Sequence, residues 1–169
     1  MQHRSDSTAV YARAAGLGVV AGMRSQLPLA LMALAANRSQ FAVGSGRPLG
    51  LLRSPGVQRL LGFSAIGELI GDKLPFTPSR LSPGPFVGRL LFGGLTGAAV
   101  AVDARRSAAL GGVLGAIGAT IGAVSGYHAR ATAGRATPVP DPAWGAVEDA
   151  IAVALGLGLL PRSGTTPKL

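Results

Sequence analysis

Residues 107–127 (SAALGGVLGAIGATIGAVSGY) run for 21 residues without a charged side chain. At 1.5 Å per residue a helix of that length spans about 31 Å, close to the roughly 30 Å hydrocarbon core of a bilayer. The run is therefore read as a transmembrane helix. The whole chain agrees with that reading. Its 169 residues carry a formal charge of +9, yet only 14% are charged and 48% are hydrophobic. The 26 glycines and 12 prolines would suggest disorder in a polar chain, but here they lie largely within apolar runs. The absence of cysteine excludes disulfides, thiolate metal sites and cysteine nucleophiles.

Three further segments read as spans. Residues 86–102 hold one charge, Arg89, near the start, where a long side chain is expected to reach the interface. Residues 57–74 are apolar except for Gln58, Arg59, Glu68, Asp72 and Lys73, and residues 142–160 except for Glu148 and Asp149. Near the N-terminus, residues 14–23 and 27–36 are each about ten residues long, too short to cross. Arg24-Ser25-Gln26 separates them and Pro28 follows. They form one broken span or a re-entrant hairpin, with Ser25 or Gln26 capping the second half-helix and Pro28 in its first turn. The expected fold is an all-α integral membrane bundle, with four spans plus this N-terminal broken or re-entrant helix. Residues 1–162 make a single domain and residues 163–169 a flexible tail.

Small residues prescribe the packing. Ala108, Gly111, Gly115, Gly118, Gly122 and Ser125 recur at spacings of three and four, so they share one helix stripe. Lipid gives helices no hydrophobic reason to associate, and such stripes permit close van der Waals contact instead. Gly93, Gly97 and Ala101 give the preceding helix a matching stripe. The two helices are expected to form a tight antiparallel hairpin through a turn at residues 103–106.

Ionisable groups within membrane helices are costly unless they face a polar interior or each other. Glu68 and Asp72, four apart, share a helix face, and Glu68 lies near the middle of its segment. Arg24 sits at the helix break, and either Glu68 or Asp72 is its expected partner. Glu148 and Asp149 point about 100° apart on a helix, so only one is expected to face the interior. Arg24, Glu68, Asp72 and Glu148 thus form a candidate ion or small-solute site. The competing reading is a set of ion pairs that fixes helix packing. His3 and His128 offer no zinc-ligand spacing, and no Ser-His-Asp set or cofactor motif is present, so neither enzymatic activity, a metal nor a cofactor is expected.

The sequence pI near 11.6 raises nucleic acid as a partner, but no aromatic stacking platform accompanies the arginines. Membrane topology accounts for the charge better, because cytoplasmic loops are enriched in Lys and Arg. With a re-entrant first segment, Arg4, Arg13, Arg38, Arg47, Arg53, Arg59, Arg105, Arg106, Arg162 and Lys168 fall on the cytoplasmic side. Arg80, Arg130 and Arg135 fall outside, a ratio of ten to three. A full first span gives only eight to five. Anionic lipid headgroups are the expected partners of the basic loops. Transport would require a homo-oligomer, because five inserted segments leave little room for a solute pathway.

The sequence Ala21-Gly22-Met23-Arg24-Ser25-Gln26-Leu27-Pro28 is followed by Glu68-x-x-x-Asp72-Lys73-Leu74-Pro75 and by Glu148-Asp149 in an apolar C-terminal helix. This combination resembles the bacterial membrane family called domain of unknown function 4126, over roughly residues 10–160. Phe76-Thr77-Pro78-Ser79 lacks the acidic residue that usually follows the proline in that pattern. The resemblance implies a multi-pass protein of the inner membrane and no particular substrate. The topology is testable because the chain has no cysteine. In intact cells an impermeant thiol reagent is expected to label a Ser82→Cys variant and not a Ser45→Cys variant; labelling of Ser45→Cys alone inverts the orientation.

Overall fold

Glycine decides which helices pair. The computed structural model describes residues 2–36, 38, 49–71 and 81–160. Over these residues the chain forms six α-helices and no strand. They are α1 (Gln2–Met23), α2 (Leu27–Ala35), α3 (Pro55–Gly71), α4 (Pro83–Asp103), α5 (Ala108–Ala136) and α6 (Asp141–Leu159), with a 3₁₀ turn at Leu49–Arg53. Pro28, Pro55, Pro83 and Pro142 stand in first turns, where a missing N–H costs little.

α1, α4 and α5 form the tightest part of the bundle. A Cβ added at Gly97 would stand 2.2 Å from the Gly111 carbonyl oxygen, and one at Gly115 2.2 Å from that of Gly93. These pairs run in opposite senses along the two helices, so α4 and α5 are antiparallel. On the adjacent face of α5, a Cβ at Gly118 would meet the Ala15 carbonyl oxygen at 2.1 Å, and one at Gly122 that of Val19 at 2.1 Å. Both numbers rise together here, so α1 runs parallel to α5. The backbones touch directly, which only residues without a side chain allow. Gly18 and Gly22 of α1 and Gly93 and Gly97 of α4 thus use the same helix in opposite directions.

The other helices follow from contacts with α1. Gly16 faces Leu159, and Gly156 faces both Leu31 and Val20, so α6 lies antiparallel to α1 with α2 beside them. Ala35 of α2 shares a cluster with Ala14 and Leu17, while Leu27 clusters with Val20 and Met23. α2 therefore folds back along α1. Gln58 donates to the Ala33 carbonyl and Glu68 lies at Ser25, which sets α3 antiparallel to α2.

Among the described residues three helices are long and apolar enough to cross a membrane: α4, α5 and α6. Leu91, Leu95, Val113, Ile117, Ile121, Ile151 and Leu155 turn outward from them. An apolar girdle on this scale suits lipid and not water. The protein is a multi-span helical membrane protein. Two helices outrun the apolar segments that announced them. α1 begins at Gln2 because residues 2–13 contain no Gly or Pro to interrupt it. α5 continues to Ala136, where Pro138 lies just beyond, and so brings Arg130 to the start of α6. α3, at 17 residues, ends at Gly71. Residues 39–48, including Ser45, residues 72–80 and residues 161–169, which include the expected flexible tail, lie outside the described residues.

The turn between α4 and α5 is closed by Arg105, whose φ of 54° places it in the left-handed region. The Arg106 N–H donates to the Ala101 carbonyl at 2.7 Å, and Ser107 caps α5 by accepting from the Leu110 N–H. The packing yields a sharp expectation. Gly118→Ala should lower thermal stability by roughly 1–3 kcal/mol or abolish folding, because the new methyl meets backbone that has no rotamer to yield. Gly134→Ala, where nothing lies within 4 Å, should be neutral or stabilising. Unfolding of the two purified variants in mixed micelles checks this, and equal behaviour would refute the backbone contact.

Candidate functional site at the helix break

A helix that stops inside a membrane leaves carbonyls at one end and N–H groups at the next start, with no water to satisfy them. The break between α1 and α2, with Arg24 and Leu27 buried in the bundle, poses the same problem. The Arg24 N–H still donates to the Val20 carbonyl at 2.8 Å, and the Leu27 N–H to the Arg24 carbonyl at 3.2 Å. Charged side chains from other helices engage other groups at the break. Arg89 of α4 donates through Nη1 to the carbonyls of Gly22 at 3.1 Å and Met23 at 3.0 Å. Glu68 of α3 accepts from the Ser25 N–H at 2.7 Å, the Ser25 hydroxyl at 2.6 Å and the Gln26 N–H at 3.1 Å. The signs match the helix dipoles, with a cation at the C-terminus of α1 and an anion at the N-terminus of α2. Glu68 Oε1 and Arg89 Nη1 are themselves 3.5 Å apart.

Arg24 turns the other way. Its side chain is 1% exposed, and its Nε donates to Asp149 Oδ1 at 2.5 Å, while Nη2 lies 3.6 Å from Glu148 Oε2. Arg130 of α5 adds a contact to Glu148 at 3.9 Å and a paired hydrogen bond to Asp141, at 2.7 and 2.6 Å. Arg24 Nη1 also donates to the Met23 carbonyl that Arg89 uses. A continuous polar chain therefore runs Asp141, Arg130, Glu148, Arg24, the Met23 carbonyl, Arg89, Glu68. Arg89 lies six residues into α4 and Glu148 seven into α6, so the chain's inner part sits about 10 Å below the bundle end where those helices start.

Of the candidate residues, Arg24, Glu68 and Glu148 converge on this region, whereas Asp72 lies outside the described residues. Arg24 meets Glu148 and Asp149 of α6, and Asp72, one of its two expected partners, lies outside the described residues. Two expectations need correction. Glu148 and Asp149 share one partner after all, since a guanidinium presents donors in several directions and can bridge residues 100° apart. Arg89 does not reach the interface; it is 3% exposed, drawn inward by the carbonyls at the end of α1. Gln26, the N-cap of α2, makes no side-chain cap, and Glu68 takes that role from another helix. Arg130 and Asp141, eleven residues apart across a turn, gave no sequence signal.

The packing glycines occupy the interfaces between α4 and α5 (Gly93, Gly97, Gly111, Gly115) and between α1 and α5 (Gly115, Gly118, Gly122). Among the described residues no group of three His, Cys, Asp or Glu side chains is disposed to hold a metal.

The coupling across the break is measurable. Arg89→Met should destabilise the protein by roughly 3–5 kcal/mol, because it leaves Glu68 without its buried cation and the Gly22 carbonyl without its side-chain donor, while the Met23 carbonyl keeps Arg24. Glu68→Gln combined with Arg89→Met should cost less than the two single changes summed, by about 0.5–3 kcal/mol. Strict additivity in reversible unfolding would deny the direct coupling.

The sequence model of the family described as Domain of unknown function (DUF4126) matches residues 12–160. No curated protein and no solved structure matches the chain significantly.

Proposed function

Since the chain belongs to the DUF4126 family, whose description assigns no activity, we propose from its geometry that it is a small transporter or channel subunit of the inner membrane, handling an ion or small solute through the polar chain at the helix break. One observation carries this reading: alternating charge continues from surface to interior. Side-chain exposure falls from 66% at Asp141 to 14% at Arg130, 9% at Glu148 and 1% at Arg24. Membrane-embedded charge is expensive, and chains of paired acids and bases inside bundles mark ion pathways and proton relays. Discontinuous helices near the membrane interior are likewise where transporters build their sites. Arg24, Glu68, Glu148 and the undescribed Asp72 remain the proposed ion-handling set, joined by Arg89, Asp149 and Arg130.

In the proposed topology α1 and α2 make a re-entrant hairpin and α3–α6 the four spans. Arg13, Arg38, Arg53, Arg59, Arg105 and Arg106 then share the cytoplasmic end, where anionic headgroups attract basic side chains. The pathway is completed by association of several copies, because the glycine contacts inside each bundle bring its backbones too close to leave a channel between them.

A second reading, a non-catalytic scaffold or accessory protein, draws on the caps supplied by Glu68 and Arg89, which organise the bundle whatever it does. Liposome flux separates the two. Reconstituted protein is expected to conduct a proton or monovalent ion, monitored with an internal pH dye under an imposed potential. Glu148→Gln should reduce that flux by about tenfold or more while thermal stability changes little, in keeping with loss of a charge from a relay. Flux that is absent in the native protein, or unchanged in the variant, would favour the scaffold.

A further inference from the structure

The helices of this bundle are not held equally. In lipid, apolar burial does not drive helices together, so cohesion comes from close van der Waals contact and polar bonds. α1, α4 and α5 have backbone touching backbone at Gly18, Gly97, Gly115, Gly118 and Gly122. α3 has none of this. Of its 17 residues only Ala65 is buried, and a Cβ added at Gly62, Gly67 or Gly71 would meet nothing within 4 Å. Leu60, Phe63, Ile66 and Ile70 turn outward. Polar clasps lie toward its two ends. Near its start, Gln58 Nε2 donates to the Ala33 carbonyl at 2.9 Å and to the Leu52 carbonyl at 3.0 Å. Near its end, Glu68 caps α2 and meets Arg89.

We propose that α3 is a gate over the polar chain, latched by Glu68 to the α1–α2 break and to Arg89 and hinged at the Gln58 end. The asymmetry of the two clasps sets the direction of motion. Gln58 binds neutral carbonyls, one of them in the 3₁₀ turn that precedes α3, and travels little when the helix swings. Glu68 binds two N–H groups, a hydroxyl and a guanidinium, all on elements anchored to the rigid trio. Release there uncovers Arg89 and the first N–H groups of α2, the innermost members of the chain. Segments with few buried contacts open at low free energy, and α3, with one buried residue against four to six in each of α4, α5 and α6, is the least anchored of these four. The gate regulates the proposed ion-handling chain, so its purpose rests on that reading, but its motion does not.

The cysteine-free sequence permits a direct test by double electron–electron resonance in nanodiscs. Spin labels at Phe63→Cys on α3 and Val113→Cys on α5 report the gate, and labels at Leu91→Cys on α4 and Val113→Cys on α5 report the frame. The gate pair should give a distance distribution about twofold wider than the frame pair. Adding Glu68→Ala should widen and lengthen the gate distances and leave the frame distances unchanged. A gate distribution as narrow as the frame's, in the otherwise native background, overturns the proposal whether or not the Glu68→Ala variant folds. Flux measured on the same samples keeps the two readings apart: motion with no flux removes the transport reading and leaves the gate, and flux through a rigid α3 does the reverse.

Discussion

The break at Arg24-Ser25-Gln26 organises the bundle because its own chain leaves polar groups there that other helices must answer. A helix end in water is solvated at little cost. Within a bilayer each orphaned carbonyl or N–H costs several kcal/mol. Arg89 and Glu68 answer from α4 and α3, and the buried Arg24 grips α6 through Asp149 and Glu148. Three further helices, α3, α4 and α6, are thereby tied to one short non-helical segment. Charged partners suit the position better than neutral ones, because they match the dipoles of the two helix ends as well as supplying hydrogen bonds.

Glycine supplies the other half of the stability, and the two devices are complementary. Backbone contact between α1, α4 and α5 needs faces without side chains, so those faces can carry no charged group of their own. The charges therefore gather where the glycine stripes end, around Gly22 on α1 and Arg89 on α4. Directly beyond the packed stripe lies the break. Thr96, buried within α4, shows how a polar side chain survives inside the stripe: its hydroxyl donates back to the Phe92 carbonyl at 2.7 Å and asks nothing of a neighbour.

Much of this was legible in the sequence for a simple reason. Charge-free length reports a span, and small residues at spacings of three and four report a packing face, because both are properties of one helix. The stripes of α4 and α5 and the break before Pro28 could be read in this way. Partner choice could not, since it depends on how helices are placed relative to one another. Nothing in the spacing of Arg24, Glu68 and Glu148 distinguishes which acid the arginine meets, and Arg89 looked interfacial because it is the only charge near the start of an apolar run. The signal that would have revealed it was the break itself. Carbonyls left open at residues 22 and 23 require a donor, and a lone arginine in a neighbouring apolar helix is the natural supplier.

Under the proposed function, the same arrangement gives one cluster both a structural and an ion-handling part. Arg24 and Arg89 meet at the Met23 carbonyl, so the α6 side and the α3 side of the network share an acceptor. A change in the charge of Glu148 or Asp149 alters the pull on Arg24, and through that carbonyl the position open to Arg89. Arg89 in turn is the cation that Glu68 meets beside the α2 cap. Coupling of this kind needs neighbouring bonds that compete for one acceptor, with one element free enough to respond. The glycine-packed trio cannot respond, because its backbones already touch. α3, held by polar clasps and exposed along most of its length, is the element that can.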